Sequence, residues 1–574
     1  MQRGAIALGG ALAAITGVVA FHAIGRQHDG FAIRYVGTTF IDQRELVFLG
    51  YYALLGSAAM IAAAAAIYRG SGAVLQRLAD GVLERPSRLV PVVAVVAVGA
   101  SLALRHLLLQ AQPIADDELT YRFIAKTLLE GRVVNPLPLP REFLENQFAV
   151  INARGWFGKY PIGHPLLLAA GMAFGIETLI VPLLAGAGVL LTFGVGRELF
   201  GERRAALGAL LLLFSPQYLA THATQMSQTS SMVCMLLGML ALLRLRGGGA
   251  LGWALLGGCA LGFGVLVRPL PGLLFVGVAG LSYLLDRPRP PLVGALHVRA
   301  RELLLAGAAM ALFAALLLHI NELQAGAPTR TAYHEYHAGG LGVGGITVAG
   351  RLSSLADALL RQSFWLIGWP LAMLLVLFAR PRRGAWLLWG MIAAEYTYRL
   401  IVPKTVVATT GPIYVMEAVP LFALAVADGM ARWAQRLEAR DWRHPRGALA
   451  ALGLAGALVA LACFVPVQAQ AIARGGQERA QVFERLERSA RADPLVVFAF
   501  DNLLVFPGRR LTWAYYAPYP SPDLHDHTLF LRAPPDDRGF VRVRRLWRER
   551  FADRRAFILL PSPRGPVLRE LANP

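Results

Sequence analysis

Cysteine is scarce in this 574-residue chain, and Cys234, Cys259 and Cys463 each lie within an apolar run. Three such thiols support neither a disulfide framework nor a thiolate metal site. Charge is scarce as well, because only 16% of the residues are charged while 56% are hydrophobic. The apolar residues form many long runs, which excludes an ordinary soluble enzyme and predicts an α-helical polytopic membrane protein.

Acidic residues are the minority among the charges, with 36 Asp and Glu against 56 Lys and Arg, a formal net charge of +20. On one soluble face this excess would suggest nucleic acid binding. Much of it instead lies in short loops between apolar runs, a pattern typical of cytoplasmic loops that face anionic lipids. We therefore expect membrane lipids and no nucleic acid as partners. These loops read RLADGVLERPSR, RELFGERR, DRPRPP, RPRR and RDWRHPRG.

Apolar runs near the bilayer-spanning length of about 20 residues predict about thirteen transmembrane helices. The first run could be a signal peptide, but no convincing cleavage site precedes His28 and Asp29, so we interpret it as a retained span. With the N-terminus inside, every arginine-rich loop falls on the cytoplasmic side. The predicted spans are residues 5–25, 47–68, 89–110, 177–196, 205–221, 229–245, 250–267, 269–285, 302–320, 354–379, 385–401, 411–431 and 447–466.

The segment from His164 to Phe174 is apolar but too short to cross, which predicts a re-entrant or interfacial helix. It closes a large extracytoplasmic loop, residues 111–176. Residues 1–466 are therefore predicted to form the transmembrane domain. Residues 467–574 carry strand-like runs among Pro, Asp and Arg, which indicates a small soluble α/β domain outside the membrane. The turn 215–231 and the loop 321–353 are also predicted outside, so function is expected on that face.

Three adjacent acids, Asp116, Asp117 and Glu118, directly follow an apolar run long enough to cross a bilayer. Helical periodicity places Asp117 on the apolar face of Tyr121 and Ile124, so it is predicted to be the most shielded acid. Asp116 points to the opposite side and is predicted to cap the helix, while Glu118 lies at the flank. Capping alone is worth about 0.5–2 kcal/mol, and one cap does not require three acids. We therefore favour a functional role for Asp117.

A second cluster, residues 158–165, closes the same loop and contains Lys159 and Tyr160. Lysine and tyrosine commonly lie at the membrane interface, and this explanation suffices for the cluster alone. Together with Asp117, a basic group beside a carboxylate at headgroup depth suits a substrate whose phosphate lies at the membrane surface.

The order of these motifs resembles the GT-C superfamily of membrane glycosyltransferases, whose members include protein O-mannosyltransferases and the aminoarabinose transferases that modify lipid A. The resemblance covers roughly residues 89–431, and the order of the motifs carries it. The matching segments are Asp117-Glu118 opening a helix, KYPIGHP at 159–165, RELFG at 197–201, Arg268-Pro269, PTRTAYHEY at 328–336, and GPIY at 411–414 with Glu417.

The resemblance implies a hexosyl- or pentosyltransferase of the bacterial cytoplasmic membrane that works in cell-envelope glycan biosynthesis. It would pass a sugar from a polyprenyl-phosphate donor to a lipid, glycan or protein acceptor, with its active site facing the periplasm or cell exterior. Asp117 would be the general base of an inverting displacement, and Glu118 would orient the acceptor or a bound divalent ion. No cofactor is required and no metal site is assigned. The predicted donor-phosphate ligands are Lys159, Tyr160, Arg268, Arg399, Lys404 and Tyr414, with Asp116, His164 and Glu417 in support.

Two departures from the family pattern bear on the site. Ile413 stands where relatives commonly have arginine, and Gln228 stands where relatives often have histidine, with His222 the nearest alternative. Two other function classes stay open: a transporter or flippase of lipid-linked substrates and, because of Ile413, an inactive relative that binds polyprenyl lipid. The glycine-rich run at 339–350 lacks a P-loop lysine and is interpreted as a lid. The spacing of His334, Glu335 and His337 does not fit HExxH.

Overall fold

The computed structural model describes residues 33–36, 39–42, 48–285, 292–337, 347–369, 372–381, 384–402, 410–490, 493–500, 518–560 and 567–572. The predicted first span at 5–25, most of the glycine-rich run and Lys404 lie outside these residues. Helices dominate the described chain because long apolar runs can satisfy their backbone in a bilayer only within a helix.

The helices are α1 (Phe48–Val82), α2 (Pro86–Leu107), α3 (Asp116–Leu129), α4 (Gly163–Ala173), α5 (Glu177–Phe200), α6 (Glu202–Leu211), α7 (Pro216–His222), α8 (Gln228–Arg246), α9 (Gly252–Val267), α10 (Pro269–Leu285), α11 (Leu292–Ala325), α12 (Ala332–Tyr336), α13 (Val348–Trp365), α14 (Ala385–Ile401), α15 (Val419–Glu438), α16 (Pro445–Val459), α17 (Val465–Ala490) and α18 (Val541–Arg550). A 3₁₀ segment, Ile413–Ala418, leads into α15. A π turn joins α16 to α17.

Seven stretches of the described chain are helical, long and apolar enough to cross a membrane. The helix α9 and the first part of α10 are apolar but shorter. The predicted short helix at 164–174 is present as the 11-residue α4. The total of about thirteen spans stays a prediction. The seven stretches are α1, α2, α5, α8, Ala300–Ala325, Ile413–Glu438 and Pro445–Ala473.

Two predicted spans are interrupted. The stretch 205–221 is divided between α6 and α7, because the chain turns at Ser215 and Pro216 starts a new helix. The residue before a proline avoids the α region, and Ser215 accordingly has ψ 106°. In the predicted span 354–379, the α-helix ends at Trp365. Gly368 follows with a left-handed φ of 74°, a conformation that stops a helix.

The helix α15 lies in the core of the helical body, and Asp428, one of its charged residues, is fully buried. The carboxylate accepts hydrogen bonds from the Arg380 backbone N–H at 2.7 Å and from Arg432 Nε at 2.8 Å, and it also pairs with Arg204. A buried carboxylate needs such partners, because desolvating a lone charge is costly. The arginine-rich segments predicted to be cytoplasmic are therefore tied to the core at one residue.

Strands occur near both ends of the chain and in the loop after α3. The pair β1 (Ile33–Val36) and β2 (Thr39–Asp42) and the pair β3 (Ala149–Asn152) and β4 (Gly155–Gly158) are antiparallel hairpins. A four-stranded sheet contains β5 (Leu495–Ala499), β6 (Thr528–Arg532), β7 (Arg555–Leu560) and β8 (Val567–Glu570) in the order β6-β5-β7-β8. The strand β5 pairs in parallel with β6 and β7, and β8 is antiparallel to β7. We call the described residues from 493 onward the C-terminal region.

The helix α3 lies between two apolar layers. Tyr121 and Ile124 belong to a cluster that includes Leu168 of α4 and Tyr160, which precedes α4. Leu119 and Phe123, on another side of the helix, belong to a cluster built largely from the sheet and helix of the C-terminal region. The acidic start of α3 is thus held by the helical body on one side and by the C-terminal region on the other.

Candidate active site

The start of α3 is fixed by Glu118. Its Oε1 accepts the backbone N–H of Ile114 at 2.8 Å and of Ala115 at 3.1 Å, and its Oε2 accepts that of Gln225 at 2.8 Å. Glu118 therefore caps the helix and ties it to the turn that precedes α8.

The prediction that Asp117 is the most shielded acid is wrong. Glu118 is 0% exposed, while Asp116 and Asp117 are half-buried. The reason is tertiary, since the turn around Gln225 covers the flank of α3 that carries Glu118 and supplies a backbone donor there. Asp117 consequently keeps access to a substrate, which a fully buried carboxylate would not have.

Asp117 accepts a hydrogen bond from the Tyr160 hydroxyl at 2.5 Å. Tyr160 is only 7% exposed, and its ring lies 4.8 Å from that of Tyr121 between centroids. Burial, reinforced by the neighbouring Asp117 charge, raises the pKa of Tyr160 well above its ordinary value. Tyr160 therefore remains a neutral donor at working pH and fixes the orientation of the Asp117 carboxylate.

Lys159 points into a cage of aromatic rings. Its Nζ lies 3.4 Å from the Phe148 ring centroid, 4.5 Å from that of Tyr336, 5.0 Å from that of Tyr160 and 5.5 Å from that of Tyr333. The side chain is 5% exposed. Ring faces stabilise a cation through the negative charge density above the ring. The cage thus holds a desolvated positive charge close to the partner of Asp117.

A second basic group forms around Tyr414. The Arg268 guanidinium lies 5.9 Å from the Tyr414 ring centroid and 5.4 Å from that of Tyr398, while the Arg399 guanidinium lies 5.1 Å from the Tyr414 ring. Arg268 also forms a buried ion pair with Glu417, and Arg399 donates to Ser354 Oγ at 2.7 Å. Two arginines therefore flank one tyrosine at the start of the segment that leads into α15.

Two features bring these groups together. A Cβ on Gly163 would lie 2.5 Å from the backbone nitrogen of Val267, so only glycine lets the start of α4 approach the end of α9 beside Arg268. Tyr333 lies among the other groups: desolvation, the phenols of Tyr121, Tyr398 and Tyr414 and the charge of Asp117 raise its pKa well above the ordinary value. The Tyr333 ring centroid lies 5.7 Å from that of Tyr160 and 5.5 Å from Lys159 Nζ. Tyr333 is thus beside Tyr160 and the caged lysine, and it interacts electrostatically with the two tyrosines next to the arginines.

His164 and His222 were considered from the sequence as site residues, and both are buried near the turn before α8. His164 contacts Ser230 Oγ through Nδ1 at 3.0 Å and the Gln225 carbonyl through Nε2 at 2.8 Å. His222 contacts the carbonyl of Tyr218, one turn earlier in α7, at 2.7 Å. The His164 contacts position the turn to which Glu118 is hydrogen-bonded, while the His222 contact stays within α7.

Sequence reasoning missed two walls of the lysine cage, Phe148 and Tyr336. Tyr336 stands in the PTRTAYHEY segment, whose closely spaced aromatics were a usable signal, whereas Phe148 gave none. It also missed Glu395, which is 1% exposed on α14, the helix that carries Arg399. Within the described part of the chain, no three His, Cys, Asp or Glu side chains gather as metal ligands. Independence from a cofactor stays a prediction.

Replacing Arg268 with methionine should destabilise the protein strongly. Glu417 is 0% exposed and would lose its cationic partner, and breaking such a buried pair costs about 3–5 kcal/mol. The double variant Arg268→Met, Glu417→Met should recover much of the loss, because it removes both buried charges. Thermal unfolding in detergent measures both. A single variant as stable as the parent would contradict the ion pair.

Residues 166–320 match the family model of dolichyl-phosphate-mannose-protein mannosyltransferases. No curated protein matches in sequence. ArnT from Cupriavidus metallidurans bound to undecaprenyl phosphate aligns with 85% of this chain and 98% of its own, with a TM-score of 0.52 and 13% identity. The apo state of ArnT aligns with 83% of this chain and 93% of its own, with a TM-score of 0.46 and 13% identity. The apo form of the Archaeoglobus fulgidus oligosaccharyltransferase aligns with 75% of this chain and 60% of its own, with a TM-score of 0.39 and 15% identity.

The alignment with the undecaprenyl phosphate-bound ArnT extends over most of both chains and shows a shared fold. This chain is therefore an integral membrane protein that shares the fold of ArnT. More particularly, it resembles ArnT over most of its length and, within residues 166–320, the protein mannosyltransferases. The resemblance predicted from the order of the motifs is confirmed.

Proposed function

We propose that the protein moves a sugar from a polyprenyl-phosphate donor to an acceptor on the extracytoplasmic side of the membrane, with Asp117 as the general base. One observation carries the proposal: Tyr160 donates to the Asp117 carboxylate at 2.5 Å, and the caged amine of Lys159 lies 5.0 Å from the ring centroid of the same Tyr160. A base beside a desolvated cation suits a reaction that takes a proton from the acceptor and releases a phosphate.

The reaction balances with the groups present. An acceptor hydroxyl or amide nitrogen attacks the anomeric carbon and gives its proton to Asp117. The bond from that carbon to the phosphate oxygen breaks, and the lipid phosphate leaves with the electron pair. Lys159, Arg268 and Arg399 stabilise the charge that develops on the leaving oxygen. Attack opposite the departing phosphate inverts the anomeric centre.

The donor class rests on the fold and on the basic groups. The ArnT structure of the same fold is bound to undecaprenyl phosphate. We infer that Arg399 takes the place of the arginine that relatives have at the position of Ile413, because both Arg399 and Arg268 flank the adjacent Tyr414. We assign Glu118 to holding α3, since it already binds three backbone donors. Lys404 keeps its predicted role as a phosphate ligand.

A reconstituted assay tests the proposed function. The purified protein in proteoliposomes should transfer labelled sugar from a polyprenyl-phosphate donor to a cell-envelope acceptor fraction, with inversion at the anomeric carbon. Labelled lipid should stay in its original leaflet in the same vesicles. Lipid flipping without transfer would support the transporter alternative, and donor binding with neither activity would support an inactive lipid-binding relative.

A further inference from the structure

The C-terminal region inserts one aromatic side chain against α3. The Tyr519 ring stacks on Phe123 of α3, with centroids 4.9 Å apart and an interplanar angle of 18°. Its hydroxyl donates to the Gln147 carbonyl and lies 3.3 Å from Thr120 Oγ1, also on α3. Tyr519 is only 7% exposed. One residue thus contacts both α3 and the loop that leads into the β3–β4 hairpin.

The same segment of the C-terminal region forms a second contact with α3. Asp526 Oδ1 pairs with Lys126 Nζ at 2.9 Å, and the other Asp526 oxygen accepts the backbone N–H of Ser521. Residues 519–526 therefore touch α3 at two places about two turns apart, and we call them the α3 brace. The ion pair is partly exposed, and such pairs contribute little on their own. The buried Tyr519 is therefore the main contact.

The α3 brace acts close to Asp117. Thr120 lies three residues after Asp117, which is one helical turn on α3. The opposite layer supplies Tyr160, whose hydrogen bond fixes the Asp117 carboxylate. A shift of α3 toward the space left by Tyr519 would lengthen that bond. Misplacing a reacting group by about 1 Å can cost on the order of 100-fold in rate.

We propose that Tyr519 is a positioning residue for sugar transfer: the C-terminal region holds α3 against Tyr160 and thereby sets the position of Asp117. This inference rests on the proposed function, because it assigns Asp117 as the base. Tyr519 acts through α3 and does not touch the reacting atoms. The α3 brace is accordingly part of the machinery for transfer.

Three variants test the brace. Tyr519→Ala should lower kcat about tenfold or more, since misplacement affects the chemical step, while polyprenyl-phosphate binding by Lys159, Arg268 and Arg399 stays within about twofold. Tyr519→Phe keeps the stack on Phe123 and should restore most of kcat. Phe530→Ala is the matched control. Phe530 lies on β6 of the C-terminal region and packs against Phe483 of α17, in a cluster without α3 residues. This variant should leave kcat per folded enzyme unchanged.

Hydrogen exchange makes the inference separable from the proposed function. Tyr519→Ala should raise amide exchange in Asp116–Leu129 and leave that of Glu177–Phe200 unchanged, whether or not sugar transfer is observed. If the parent enzyme transferred no sugar, that result would refute the proposed function but not the contact of Tyr519 with α3. Unchanged exchange in α3, a parent-like kcat, or an equal loss of kcat in Phe530→Ala would overturn the positioning role.

Discussion

Asp117→Asn is expected to lower the rate of sugar transfer by about 1000-fold, the range over which a general base contributes. Asparagine has nearly the same shape and still accepts a hydrogen bond from Tyr160, so α3 should keep its place. It cannot take the acceptor proton, however. The rate of transfer from a labelled polyprenyl-phosphate donor, measured beside equilibrium binding of a polyprenyl phosphate, should show lost turnover with retained binding.

A carboxylate at the C-terminal end of the same helix provides the control. Glu130 follows the last residue of α3 and pairs with Arg132 in a partly exposed contact, and such contacts are worth little. Glu130→Gln should therefore transfer sugar at the parent rate. Retained turnover in Asp117→Asn, or an equal loss in Glu130→Gln, would remove Asp117 as the base.

The helical body was largely predictable because its signal is local. Apolar length alone predicted α14 at 385–401 and α10 at 269–285, and the structure places both helices at those residues. The short α4 was predictable for the same reason. Prediction failed where the backbone deviates inside an apolar run, as at Ser215 before Pro216. There a proline outweighs a hydrophobic run that is long enough to span.

The site was only partly predictable because its contacts join distant parts of the chain. The periodicity of α3 alone made Asp117 the shielded acid, but the backbone of Gln225, more than a hundred residues later, buries Glu118 instead. The lysine cage pairs Phe148 with Tyr336 in the same way. Local patterns report which face of a helix is apolar, whereas tertiary packing decides what covers it.

Lys159→Met should lower kcat/KM for the polyprenyl-phosphate donor by about 100-fold, comparable to the loss of one donor at a developing oxyanion. Methionine has similar length and can fill the aromatic cage, so the loss would report the charge and its N–H groups rather than a cavity. Binding of a polyprenyl phosphate should weaken in parallel, because the cage presents the amine in a desolvated site where a charge-assisted hydrogen bond is strong.

Two further variants separate the caged amine from positive charge in general. Lys159→Arg should also be impaired, because the cage holds the amine 3.4 Å from the Phe148 centroid and a wider planar guanidinium would displace a ring. Arg154→Met removes a positive charge from the exposed turn of the β3–β4 hairpin, which directly precedes Lys159, and should bind polyprenyl phosphate like the parent. If Arg154→Met lost as much donor affinity as Lys159→Met, the effect would be long-range attraction, and Lys159 would not contact the phosphate.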